Sequence, residues 1–186
     1  MKKHLPLIIG LAVPFLMILF VAVSIYVPSW FANPQYSFIY SVKDNYDGYG
    51  DTYSVKNGVV VKETVPYPTS TTPYYGYPNN KYPETKVYLY KYDRETNTTK
   101  EISYEDAQKL KLITNRESPD GYVLEQGTSD SGIFEIFGGY DANNPPDWFL
   151  RKGAMNKRVT LQFPTAIDTR YYYYNNNFKF LGWIEQ

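Results

Sequence analysis

The chain has 186 residues, nineteen Lys/Arg against nineteen Asp/Glu, one His and no Cys. This excludes a disulfide framework, a Cys nucleophile and a zinc site built from the usual nitrogen and sulfur ligands. With no excess of positive charge, nucleic acid is not expected as a partner.

Leu5 to Val27 reads LPLIIGLAVPFLMILFVAVSIYV, twenty-three residues without a charge. As a helix rising about 1.5 Å per residue it reaches about 34 Å, against a hydrocarbon core of about 30 Å. The run therefore predicts a single transmembrane helix over 5–27, with the lipid bilayer as its partner. Lys2 and Lys3 precede it and no charge lies between Pro28 and Val42. The positive-inside rule then places residues 1–4 in the cytoplasm and the C-terminal part outside. Tyr26 and Trp30 suit an interfacial aromatic belt. A cleaved signal peptide is the rival reading, with Ala22-Val23-Ser24 as a small-residue site, although the apolar run exceeds the usual length. A buried core helix is the third reading.

Residues 28–35 read as a linker and 36–186 as one extracytoplasmic domain, mainly β: an antiparallel meander or sandwich-like fold with one short helix. Twenty-one tyrosines support strands, because Tyr suits positions with an apolar body and a polar tip. Tyr36–Val42 alternates as a first strand. Lys43–Asp51 is turn-rich. Thr52–Val65 predicts a hairpin about Asn57-Gly58, the dipeptide suited to the positive φ angles of a type I′ turn. Residues 66–83 hold five prolines, which disfavour a ladder and predict an extended loop. Lys86–Tyr92 alternates strictly; Asp93–Asn97 turns the chain and Thr98–Ile102 returns. Ser103 is placed to cap a helix over Tyr104–Leu110. Further strands are expected at 111–114, 122–125, 133–137, 147–150 and 158–163, with a tight turn at Ser118-Pro-Asp-Gly121. Thr169–Tyr174 and Phe178–Ile184, joined by Asn175-Asn-Asn177, read as a terminal hairpin.

Lys86–Ile102, KVYLYKYDRETNTTKEI, resembles the strand–turn–strand of TolB/PD40-type β-propeller blades, and Ser118-Pro-Asp-Gly-Tyr122 resembles the turn that follows in those repeats. The resemblance covers about 40 residues. It implies antiparallel hairpins; a closed propeller needs about four blades of four strands, more than this chain supplies.

The lone His4 lies before the apolar run, so no Ser-His-Asp triad can form beyond it. GxxxxGK[ST], GxGxxG and Ser-x-x-Lys patterns are absent. No cofactor is expected. Asp44, Asp47 and Asp51, with Asn45, offer hard oxygen ligands to calcium but miss the EF-hand spacing; Asp141, Asn143, Asn144 and Asp147 form a second such group. The same residues are ordinary turn formers. Glu125, Asp130, Glu135 and Asp147 could supply a carboxylate pair for glycoside hydrolysis. Tyr74, Tyr75 and Tyr77 in the proline-rich loop, and Tyr171, Tyr172 and Tyr174, are candidates for contacting a partner protein or a glycan; packing a β core is the other use of such aromatics. Asn97-Thr-Thr99 matches a glycosylation sequon. The expected function is non-catalytic: a membrane-anchored extracytoplasmic domain that binds a partner or serves an envelope structure. The alternative is a carbohydrate or cell-wall recognition module using exposed tyrosines.

Overall fold

The computed structural model describes residues 12–21, 23, 31–44, 49–66, 84–127, 147–164 and 177–186. These are mainly β. The strands are β1 (Phe38–Lys43), β2 (Tyr49–Lys56), β3 (Val59–Val65), β4 (Glu84–Thr85), β5 (Val87–Asp93), β6 (Thr98–Glu101), β7 (Leu112–Ile113), β8 (Val123–Gln126), β9 (Trp148–Lys152), β10 (Met155–Val159) and β11 (Phe178–Ile184), with one short helix, Tyr104–Gln108, between β6 and β7.

Among the described residues no helix is long and apolar enough to cross a membrane. This overturns the transmembrane helix expected over 5–27, and the membrane and signal-anchor readings with it. The expected flanks Lys2, Lys3, Tyr26 and Trp30 lie outside the described residues.

The fold is not a meander. The strands form three sheets: a central one in the order β6-β5-β1-β11-β7, a second β10-β9-β8, and a third β3-β2-β4 in which β2 and β4 run parallel. Alternation along the central strands sends side chains to two separate cores. Phe38, Tyr40, Val42, Tyr90, Tyr92 and Trp183 face one way and pack with Trp148, Leu150 and Val159 of the β10-β9-β8 sheet. Ile39, Leu89 and Leu181 face the other way and pack with Tyr53 and Val60 of the β2–β3 hairpin and Ala107 of the short helix. The central sheet is thus the middle of three layers.

β11 carries Phe178, Phe180 and Trp183 on the same face, a spacing that strict alternation forbids. A register shift resolves this: Ile39 lies opposite Gly182 and Tyr40 opposite Phe180, so Leu181 is the extra residue of a β-bulge. The bulge turns Trp183 toward Phe38, at 5.5 Å between ring centroids and nearly perpendicular, while its indole donates to the Asn115 carbonyl at 3.1 Å.

Asn57 and Gly58 adopt φ of 53° and 76°, the left-handed pair that a two-residue turn needs. The short helix begins where Ser103 accepts from the Asp106 amide at 3.1 Å. The expected strand at 158–163 is instead β10, ending at Val159, for a reason given below. The expected strand at 133–137, the proline-rich loop at 67–83 and the first half of the terminal hairpin lie outside the described residues. β11, expected to close that hairpin, pairs with β1 and β7.

The chain before β1 is docked on the domain. Asn33 N–H donates to the Tyr122 hydroxyl at 3.0 Å, Gln35 N–H to Asp120 Oδ2 at 2.7 Å, and Arg94 Nη1 to Gln35 Oε1 at 2.6 Å. Pro34 is buried between them. The stretch expected as a linker is therefore part of the domain from Asn33 onward.

Candidate functional site

The carboxylates proposed for metal or acid–base chemistry are held by other partners. Asp44 Oδ1 accepts the Lys86 amide at 2.8 Å. Asp51 pairs with Lys62 at 2.5 Å and accepts from the Thr64 hydroxyl at 3.2 Å. The hydrogen bond from Lys62 holds the Asp51 carboxyl below the ordinary range and the lysine above its own. Glu125 lies 3.6 Å from Arg151, and Asp147 lies 2.5 Å from Arg158. Among the described residues no group of three or more Asp, Glu, His or Cys is arranged to hold a metal ion. Asp47, Asp130, Glu135, Asp141, Asn143 and Asn144 lie outside the described residues, as do Tyr74, Tyr75, Tyr77, Tyr171, Tyr172 and Tyr174.

The described residues with concerted chemistry are ones that no motif announced. The end of β10 and the residues after it lie over the central sheet. Three carbonyls at every second position, those of Arg158, Thr160 and Gln162, are met by side chains. Asn97 Nδ2 donates to the Arg158 carbonyl at 3.3 Å, the Thr99 hydroxyl to the Thr160 carbonyl at 2.7 Å, and the Tyr40 hydroxyl to the Gln162 carbonyl at 2.9 Å. The Tyr40 oxygen also accepts the Gln162 N–H at 2.9 Å. One phenol thus satisfies both peptide groups of Gln162, as a residue of a neighbouring strand would. Between these positions Leu161 and Phe163 pack on the aromatic core.

The sequence builds this row locally. Tyr92 stands opposite Thr99, and Tyr40 opposite Tyr90. Asn97 takes the left-handed corner of the β5–β6 turn at φ 52°. Tyr92 fixes its amide by donating to Oδ1 at 2.8 Å, which leaves Nδ2 aimed at Arg158. Tyr40 and Tyr90 stack at 5.3 Å and form the floor. Burial raises the Tyr40 pKa far above a free phenol's, with hydrogen bonds to Thr99 and Gln162 opposing it only in part. Burial likewise pushes Tyr90 and Tyr92 up to about 12. All three stay protonated near neutrality, and Tyr40 and Tyr92 act as hydrogen-bonding groups, not as bases.

This also disposes of the sequon. Both polar atoms of the Asn97 amide are engaged, and Thr99 is buried with its hydroxyl committed to Thr160. A glycan on Asn97 would require this corner to open. Sequence reading noted Asn97-Thr-Thr99 and the Tyr88/Tyr90/Tyr92 alternation, but nothing in the sequence joins them to Gln162. Tyr40 and Gln162 are 122 positions apart.

Comparison with protein-family models, with curated proteins and with solved structures finds no match for this chain.

Proposed function

We propose that this chain is a non-catalytic domain that binds another polypeptide. The observation that carries the reading is the row Asn97, Thr99 and Tyr40, which recognises extended backbone at alternate residues and is indifferent to the side chains there. Backbone reading combined with apolar contacts between the reading positions is the chemistry of peptide-strand recognition. The described candidate carboxylates support the non-catalytic part, since Glu125 and Asp147 are each matched by an arginine.

The full chain probed on immobilised peptides and on immobilised glycans tests the reading. Retention on extended peptides, unchanged by Glu125→Gln or Asp147→Asn, is expected. Retention on glycans alone would replace it with a carbohydrate-recognition module. Glycan turnover that falls in either variant would overturn the non-catalytic reading.

A further inference from the structure

The same row has an occupant within the chain. Residues 160–164 follow β10 directly and belong to no described strand. Their polar anchorage to the central sheet runs through side chains: Thr99 holds Thr160 and Tyr40 holds Gln162. A backbone ladder fixes a partner through donors and acceptors that belong to the sheet itself. Here the recognising groups are hydroxyls on the sheet face, and the segment lies on top of them. Two apolar side chains, Leu161 and Phe163, alternate with the two anchored residues and face the core. Thr160 and Gln162, between them, are exposed.

We infer that the face lined by Asn97, Thr99 and Tyr40 is a groove for an extended peptide with apolar residues at alternate positions, and that Thr160–Pro164 fills it in cis as a displaceable strap. The inference rests on the reading of the chain as a polypeptide-binding domain, and it names the site and the class of ligand. Side-chain hydroxyls reading carbonyls impose no residue identity at the Thr160 and Gln162 positions, so specificity comes from the Leu161 and Phe163 positions. A tethered occupant competes at an effective concentration on the order of millimolar. The groove therefore favours its own strap over a dilute peptide until the strap is weakened or the partner binds more tightly.

The test uses the full chain and a labelled octapeptide of residues 157–164, KRVTLQFP. In the Leu161→Ser/Phe163→Ser variant the cis strap loses its apolar contacts while the groove stays intact. Fluorescence anisotropy is expected to show the peptide binding this variant at least tenfold more tightly than the unmodified chain, and adding Thr99→Val is expected to reverse at least half of the gain on a logarithmic scale. A variant with native near-UV circular dichroism that binds the peptide no better than the unmodified chain overturns the groove. If the double variant does not fold, hydrogen exchange of the unmodified chain decides. The Gln162 amide is expected to exchange by local opening, at least tenfold faster than the amides pairing β1 with β5. Exchange of Gln162 only with those amides would show that the strap is inseparable from the fold, and would overturn the inference. A dimer of the unmodified chain that the octapeptide dissociates would assign the groove to the strap of a second copy, overturning the separate partner. Retention on other immobilised peptides that persists when the groove test fails would leave the binding reading standing and remove this site alone.

Discussion

At the scale of single residues, the Tyr40 and Tyr92 hydroxyls are structural hydrogen-bonding groups removed from solvent. Tyr40 and Tyr92 are fully buried, and each phenol has a protein partner. Tyr40→Phe would leave both peptide groups of Gln162 without that partner. Because Gln162 is exposed, water recovers part of the loss. A cost of about 1–2 kcal/mol is expected, seen as a lower urea midpoint with an unchanged slope. The raised pKa values carry a pH consequence of definite sign. The folded state holds the phenolic protons of Tyr40, Tyr90 and Tyr92 more tightly than the unfolded chain, whose phenols titrate near 10. Stability from these groups is complete below about pH 10 and is lost above it, by up to about 1.4 kcal/mol per pH unit for each phenol. Urea midpoints measured from pH 8 to 12 should be flat to about 10 and then fall, and the fall should be shallower in Tyr40→Phe. Asn177 is the converse case. It is 2% exposed, and neither polar atom of its side chain has a partner among the described residues. A buried amide in that position costs about 1–3 kcal/mol. Asn177→Leu, close in volume, should therefore raise the urea midpoint, and a lower one would show that the amide has a use that this arithmetic omits.

At the scale of elements, a close backbone approach occurs at a glycine within β11. A Cβ on Gly182 would stand 2.9 Å from the Ile113 carbonyl oxygen, next to the short β11–β7 pairing of Trp183 with Ile113 and Ile184 with Leu112. Gly182→Ala must push β7 away from β11 and disturb the bulge that aims Trp183. A loss of about 2 kcal/mol or more in equilibrium unfolding, with quenched or red-shifted Trp fluorescence in the folded state, is expected. This element also shows which features were readable beforehand. The Asn57-Gly58 hairpin, the Ser103 cap and the strand expected over Lys86–Tyr92 with its turn, found as β5 at Val87–Asp93, were legible because the forces that set them act within a few residues. The bulge at Leu181 was not, because nothing in Phe178-Lys-Phe-Leu-Gly-Trp-Ile184 marks which residue is looped out until β1 and β7 fix the register from both sides. The strand expected at 158–163 failed for a related reason. Its alternation is real, but past Val159 its carbonyls turn to side chains of another sheet, which only the tertiary arrangement brings there. The transmembrane reading of 5–27 rested on length and hydropathy alone, and among the described residues no helix is long and apolar enough to cross a membrane.

At the scale of the whole molecule, the order of assembly follows from the central sheet. β1 lies between β5 and β11, and β11 between β1 and β7. The β2–β3 hairpin closes a two-residue turn, whereas pairing Phe38 with Trp183 brings together residues from opposite ends of the domain. The entropic cost of that closure must be met before the aromatic core rewards it. β11 contributes Trp183, Leu181 and Phe180, so both cores are incomplete without it. Deletion of residues 178–186 should therefore do more than fray an edge. It removes the neighbour of β1 on one side, leaves β7 with no strand to join, and exposes Phe38, which contacts both Phe180 and Trp183. The truncated chain is expected to lose cooperative unfolding by circular dichroism and to show uniform fast amide exchange outside the β2–β3 hairpin. A truncated chain that kept a sharp urea transition would mean that β1, β5 and β6, packed on the β10-β9-β8 sheet, form a stable unit unaided. The layer holding the Asn97–Thr99–Tyr40 row would then fold independently of β11.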